Sequence, residues 1–322
     1  MNKSFAPILI PTLNRFEHFK RCVDSLSKNT HASETKLYIA LDYPTKNSHW
    51  DGYNKIVDYL DQLSGFQEII IIKRNENFGA VRNMFESIDE LFKKHGELIF
   101  SEDDNFFSPN FLDYVNKGLR LLETRSDIFA VSGYSYPIQT PKNYKENYYL
   151  AKSFPAWGVG LWKEKYSKVD ISIVSVEKFL KKPKNIWETV KTINYLLPKL
   201  FDVVEKKHLT GDVIFSMNLL KKKMFCVLPT VSKSNNYGFD GSGVHCGVDT
   251  KDLFFNKSID NDKTFDFSTP NLTTVDNELL KIINTRYKVP NIEIIKRLIL
   301  YYLRRTNFHS YYKEAKKLFL KG

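Results

Sequence analysis

Cysteine is scarce in this chain: three in 322 residues, at Cys22, Cys226 and Cys246. An odd number at wide spacing excludes a disulfide framework and a thiolate metal site, and makes a reducing cytosol the simplest home. Long apolar runs are missing too. No stretch approaches the roughly 18 residues of a spanning helix, and the first apolar run stops at Pro11, too short for a signal peptide. The chain therefore reads as cytoplasmic, soluble or peripherally attached to the inner face of a membrane. No Gly-rich dinucleotide fingerprint follows the first apolar run and no Walker-type loop occurs, which argues against an ordinary NAD enzyme or a P-loop NTPase. Internal repeats are absent.

What is present is an ordinary globular balance, 42% hydrophobic and 26% charged, which excludes wholesale disorder. Aromatic residues reach 14%, enough for a large core and for sugar-stacking or interfacial surfaces. The formal charge of +11 favours an anionic partner: a phosphorylated substrate, a membrane face or nucleic acid.

Residues 97–105 read Glu-Leu-Ile-Phe-Ser-Glu-Asp-Asp-Asn, an apolar strand running into three adjacent carboxylates. Glu102, Asp103 and Asp104 repel one another unless solvated or offset by a cation. Carboxylate oxygens at a strand end suit Mg²⁺ or Mn²⁺, which commonly share their shell with substrate phosphates.

The first 135 residues alternate apolar runs with helical periodicity. Strands are expected at Phe5 to Ile10, Leu37 to Leu41, Ile69 to Ile72, Leu98 to Phe100 and Ile128 to Ser132. Helices are expected after Asn14 as a cap, over about Trp50 to Leu63, from Asn77 to Lys94, and from Ser108-Pro109 onward. Fully apolar strands in such alternation imply an α/β fold with a mostly parallel sheet covered on both faces. Ligands collect at the carboxyl ends of such strands. There Pro11-Thr12, Asp42, Asn75 to Gly79 and Glu102 to Asp104 would form one rim. Beyond Tyr134 the rhythm changes. Ser153 to Trp162 is too rich in Gly and Trp for a plain strand, and Asp170 to Lys207 is a lysine-rich helical stretch. Leu209 to Leu220 turns helical after Thr-Gly-Asp, and Asn235 to Gly247 has the four glycines of a mobile loop.

Six motifs in this order resemble the GT-A glycosyltransferases of the family 2 kind found in bacterial surface-polysaccharide clusters. They are Pro-Thr-Leu-Asn-Arg at 11–15, Asn-Phe-Gly-Ala at 77–80, Ser-Glu-Asp-Asp-Asn at 101–105, Ala-Trp-Gly-Val-Gly-Leu-Trp at 156–162, Gly-Asp at 211–212 and Gly-Val-His-Cys-Gly at 243–247. The motif order is also similar to that of the N-acetylglucosaminyltransferases that branch N-glycans. The resemblance implies a Rossmann-like GT-A domain. Its nucleotide-sugar half would span residues 1–135 and its acceptor and catalytic half 136–255, with a C-terminal extension over 256–322.

The resemblance further implies a nucleotide diphosphate sugar, UDP-linked, as donor and a saccharide acceptor, lipid-linked in many such systems. Asp104 would ligate Mn²⁺ or Mg²⁺, with Asp103 near the ribose, or turned inward to hold the loop, and Glu102 near the donor sugar. Asp212, just after Gly211 and before a helix, is the candidate general base for inverting transfer, or an ordinary N-cap. At the rim, Pro11, Thr12, Arg15, Asp42, Asn77, Gly79 and Arg82 are candidate donor contacts; surface salt bridges compete for both arginines. Trp157, Gly158 and Trp162 would stack on or approach the sugar, or form core. Gly243 and His245 belong to the glycine loop, which would close over the donor or supply a second metal ligand.

The C-terminal residues 292–321 alternate an apolar stripe (Ile295, Leu298, Ile299, Tyr302, then Phe308, Tyr311, Tyr312, Ala315, Phe319) with lysines and arginines. Such a pattern suits an anionic membrane surface, or packing on the domain or a partner subunit. Two other functions fit parts of the chain: a sugar-phosphate nucleotidyltransferase, which shares the acidic site but usually has a Gly-rich Arg/Lys loop after strand one, and a non-enzymatic polyanion or nucleic-acid binder. The basic residues form no recognisable nucleic-acid motif, so no nucleic acid is expected.

Overall fold

A computed structural model of the chain describes residues 4–241, 254–255, 258–269, 272 and 275–305. It opens with β1 (Ile8–Thr12), α1 (Phe16–Ser27), β2 (Lys36–Leu41), α2 (Asn47–Leu60), β3 (Glu68–Lys73), α3 (Gly79–Phe92) and β4 (Glu97–Phe100). There follow β5 (Asn105–Phe107), α4 (Phe111–Leu121), β6 (Ile128–Ser132), β7 (Tyr148–Ala151) and β8 (Val159–Trp162). Helices α5 (Lys163–Tyr166), α6 (Ile173–Leu180), α7 (Pro183–Ile193), α8 (Leu196–Lys206) and α9 (Gly211–Lys222) come next. Last are β9 (Phe225–Pro229), β10 (Ser234–Asn236), α10 (Asn277–Arg286) and α11 (Asn291–Leu303).

Eight strands form one mixed sheet in the order β3-β2-β1-β4-β8-β6-β9-β7. β1 to β4 run parallel, β6 and β9 share their direction, and β8 and β7 run against them. The fold is therefore α/β and mostly parallel, as the alternation implies. β5 and β10 pair separately as a short antiparallel ribbon.

The two faces follow from side-chain alternation along β1. Ile8 and Ile10 pack with α1, α2 and α4, while Leu9 packs with α3, α9 and α10. Apolar side chains thus cover both faces, which is why these strands read as unbroken hydrophobic runs. A third layer of α6, α7, α8 and α11 packs on the outer side of α9.

Several local expectations need correction. α1 has Arg15 at its N-cap, with no side-chain cap bond, in place of Asn14. α4 begins after Asn110, so Pro109 lies outside its first turn. Part of Ser153 to Trp162 is a plain strand: β8 pairs on both sides, with β4 and β6, and that pairing overrides its glycine content. Among the described residues no helix is long and apolar enough to cross a membrane. Cys22 and Cys226 are buried free thiols.

Candidate active site at the ends of β1 and β4

β4 ends at Phe100 and the chain turns through the acidic tip into β5. Three neighbouring segments grip that tip. From the end of β1, Thr12 Oγ1 donates to Asp103 Oδ2 at 2.8 Å. Arg15, beginning α1, donates through Nη2 to Asp103 and, at 2.9 Å, to Asp104 Oδ2. From β10, Asn236 Nδ2 donates to Asp104 Oδ1 at 2.6 Å and to Asn105 Oδ1 at 3.2 Å. The Tyr237 N–H donates to the Asp104 carbonyl at 2.9 Å, and the Gly238 N–H returns to Asn236 Oδ1 at 2.8 Å.

The electrostatics of this cluster are unbalanced. Burial opposes the charge on Arg15, but Asp103 and Asp104 outweigh it and hold the guanidinium firmly protonated. Burial pushes the Asp103 carboxyl up in spite of Arg15. Glu102 is driven well above the ordinary carboxylate range, first by burial, then by the charges of Asp104, Asp212 and Asp103. Three carboxylates against one guanidinium leave the tip short of positive charge. Yet Arg15 Nη1 is buried with no hydrogen-bond partner. An arriving anion that brings its own cation would satisfy both deficits.

A hard divalent ion fits the donor set in kind, since every carboxylate here offers oxygen. Among the described residues no group of three His, Cys, Asp or Glu converges closely enough to hold one. The rest of a coordination shell would come from ligand phosphates and water, as in many Mg²⁺ sites.

Asp212 lies in the first turn of α9, 3.8 Å from Lys199 Nζ. Its charge reaches Glu102 and also the Tyr195 hydroxyl, which is pushed up to about 12 chiefly by burial. Gly211 packs against Met84 of α3. The start of α9 therefore looks onto the acidic tip across the side of the sheet that carries α3. Tyr195 pairs with Tyr136 at 2.8 Å, and Tyr136 donates to Ser153 Oγ at 2.7 Å, a hydroxyl chain beside Asp212 that the sequence reading did not single out.

Asp42, buried at the end of β2, accepts the N–H groups of Phe78 and Gly79, both at 2.8 Å, and that of Tyr43 at 2.9 Å. It is the cap of α3, supplied from another strand. Asn77 Nδ2 donates to the Tyr43 carbonyl at 2.7 Å, and Gly79 has φ +72°, a left-handed turn that favours glycine. Pro11 is the fourth residue of β1, beside Thr12. Arg82 stacks 3.7 Å over Phe78 and pairs with Glu76 and Glu86 on the surface, so its charge is engaged there.

The tryptophans separate. Trp157 packs edge-on against Tyr134, Phe239 and Phe254. Gly158 lies against the Phe107 and Phe111 rings, where a side chain would clash. Trp162 leaves the rim altogether. It pairs with Glu97 at the start of β4 because β8 runs antiparallel, and its indole donates to the Leu119 carbonyl at 3.2 Å. Gly243 and His245 lie outside the described residues. Sequence reasoning missed Asn236, Tyr237 and Gly238, which it folded into a glycine loop. The signal was there in Asn-Asn-Tyr-Gly, polar groups directly before a glycine, but its partner lies about 130 residues upstream.

No protein-family model matches the chain, and no curated protein matches it. Among solved structures it is similar to S. aureus TarS, at 11% identity and a TM-score of 0.36, covering 55% of this chain and 33% of that one. It is similar to residues 1–349 of the same protein, at 9% identity and a TM-score of 0.34, covering 56% and 52%. A further similar structure is the mannosyltransferase PcManGT from Pyrobaculum calidifontis in complex with GDP-Man and Mn²⁺, at 10% identity and a TM-score of 0.38, covering 67% and 69%. The chain thus spans a third of the length of TarS. Likenesses this remote carry no weight for the chemistry, which rests on the side chains above.

Proposed function

We propose that the chain is an inverting, metal-dependent GT-A glycosyltransferase. It would move a hexosyl or N-acetylhexosaminyl group from a nucleotide diphosphate sugar, UDP-linked, to a saccharide hydroxyl in bacterial surface-polysaccharide assembly. The acceptor would be lipid-linked, presented at a membrane face that the C-terminal region reaches. The observation that carries this reading is the acidic tip of β4, held by Arg15 and Thr12 and facing Asp212 on α9.

Each residue has a distinct task. Arg15 sets its positive charge against Asp103 and Asp104 and offers its unpartnered Nη1 to a phosphate oxygen. Thr12 and Asn236 fix the two carboxylates so that the tip need not reorganise when ligand arrives. Asp104 would hold Mn²⁺ or Mg²⁺, and a bound ion supplies Lewis-acid stabilisation for the diphosphate as it departs. Asp212 accepts the proton of the acceptor hydroxyl as that oxygen attacks the anomeric carbon from the face opposite the diphosphate. Asp42 acts through α3, keeping Asn77 to Gly79 in place at the rim.

Calorimetric titration with UDP, GDP and CDP, each with and without Mn²⁺, tests the reading. Mn²⁺-dependent binding of one nucleotide, lost in Asp104→Ala, supports it. Unchanged affinity in Asp104→Ala refutes it, and pyrophosphate release from a nucleoside triphosphate would transfer the site to nucleotidyl chemistry.

A further inference from the structure

α11 is apolar on two opposite sides. Ile294 and Tyr301 are buried in the outer helical layer, and Arg297 fastens that side by donating to the Pro198 carbonyl and pairing with Asp202. At about 100° per residue, Ile292, Ile295, Ile299 and Leu303 fall on the other side, and all four are exposed, between 36% and 61%. The apolar stripe expected in the sequence is thereby split: Leu298 belongs with the packed side, and Ile295 and Ile299 with the open one. Isolated exposed apolar residues are ordinary, but four on one side of one helix form a contiguous patch of the kind that marks an interaction surface.

A second observation says what covers it. The Tyr302 hydroxyl donates to the Leu180 carbonyl at 3.1 Å, which brings the end of the stripe beside the turn between α6 and α7. That turn carries exposed Lys182 and Lys184 and, one turn into α7, Trp187 at 71% exposure, the most open large apolar side chain among the described residues. Lys296 lies within the stripe itself. None of the salt bridges among the described residues involves Lys182, Lys184 or Lys296. A second copy of this chain seated on the stripe would press like charges together. An anionic surface would neutralise them, in keeping with the formal +11.

We propose that the outer stripe of α11 and the α6–α7 turn form one surface that docks on an anionic lipid bilayer. Ile292, Ile295, Ile299 and Leu303 enter the boundary between headgroups and acyl chains, Trp187 sits at headgroup level, and the three lysines reach lipid phosphates. Lys296 snorkels from within the stripe. The inference extends the membrane element of the function proposed above and stands without its chemistry.

The test is cosedimentation of the full chain with phosphatidylcholine vesicles, with and without phosphatidylserine, at low and high salt. Binding is expected only to the vesicles containing phosphatidylserine, and to weaken with salt. Lys182→Glu with Lys184→Glu is expected to cut affinity about tenfold or more. Ile295→Ser with Ile299→Ser is expected to abolish binding even at low salt, with the melting temperature unchanged because both positions face outward. No binding to phosphatidylserine vesicles, or binding that neither double variant alters, overturns the proposal. So does a dimer in sedimentation equilibrium that Ile295→Ser with Ile299→Ser dissolves, since the stripe would then be an interface between copies.

Discussion

Gly238 lies directly against Asp104: a Cβ at position 238 would sit 2.1 Å from Asp104 Oδ2 and 2.8 Å from its Cγ. No side chain fits there without moving the carboxylate or the turn after β10. The same turn donates through Asn236 and Tyr237 to Asp104, so the strain would act on the site itself. Gly238→Ala is expected to weaken Mn²⁺-dependent nucleotide binding by about tenfold or more, from an overpacking cost of about 1–3 kcal/mol at this contact. Calorimetry read beside a thermal melt checks it. Unaltered binding would mean that the turn yields freely and does not position Asp104.

Asp212→Asn separates chemistry from binding. The amide keeps the shape and the helix start, but it cannot accept a proton. A fall in kcat of about 10²- to 10⁴-fold is expected, with nucleotide affinity within about twofold of the wild type. The variant also removes one of the anions that drive Glu102 upward. Initial-rate kinetics with a confirmed donor decide the matter. Full turnover in Asp212→Asn would reduce this residue to a helix-start carboxylate.

These residues also show what the sequence made legible and what it hid. The parallel half was readable because β1, β2 and β4 are buried on both faces and therefore carry continuous apolar runs. Strand ends locate a rim, so the positions of Thr12, Asp42 and the acidic tip could be inferred. Their partners could not. Asp42 caps a helix about 36 residues further on, and nothing local announces it. β5 and β10 have three residues each, too short for any periodicity, and exist because they pair with one another across the chain. Trp157 and Trp162 look equivalent in sequence. Only the antiparallel entry of β8 between β4 and β6 sends Trp162 to the far end of the sheet.

Asp42→Ala probes the rim without touching a reacting group. Two N–H groups at the start of α3 lose their acceptor, and the helix loses a negative charge at its positive end. A stability loss of about 1–2 kcal/mol is expected from lost caps of this kind. It would be read as a lower urea midpoint at constant slope. A midpoint equal to that of the wild type would show that water replaces the cap at no cost.

Lys233 is buried almost completely and pairs with Asp260, which also accepts from Asn110 Nδ2 at 3.0 Å. This pair ties residues 258–269 to the connection between β9 and β10, and the Asn110 bond ties them to the start of α4. Asp260→Asn leaves the ammonium without its ion-pair partner in a place water barely reaches. Removing one partner of a buried pair costs about 3–5 kcal/mol. Lys233→Met with Asp260→Asn is expected to recover part of the loss, because no buried charge remains. Denaturant unfolding of the two variants and the wild type completes the comparison. If the single and double variants are equally stable, the pair does not determine how that segment is held.

Lys165 gives a pH dependence of definite sign. Burial pushes its ammonium down to about 8, from an ordinary value of 10.5. It lies 3.5 Å over the Trp162 ring and donates to the Leu122 and Arg125 carbonyls at 3.1 and 3.0 Å. Below pH 8 the folded and unfolded chains both carry this proton, and the folded one bears the whole desolvation cost. Between about 8 and 10.5 the unfolded chain keeps the proton that the folded chain has released. Stability therefore rises with pH across that window, by up to ~1.4 kcal/mol per unit from this group. Other lysines and tyrosines titrate there too, so the quantity to follow is wild type minus Lys165→Met. That difference is expected to move in favour of the wild type by about 2 kcal/mol between pH 8 and pH 10. Urea unfolding at half-unit steps measures it, and a difference independent of pH would show that Lys165 keeps its proton in the folded chain through its two carbonyl partners.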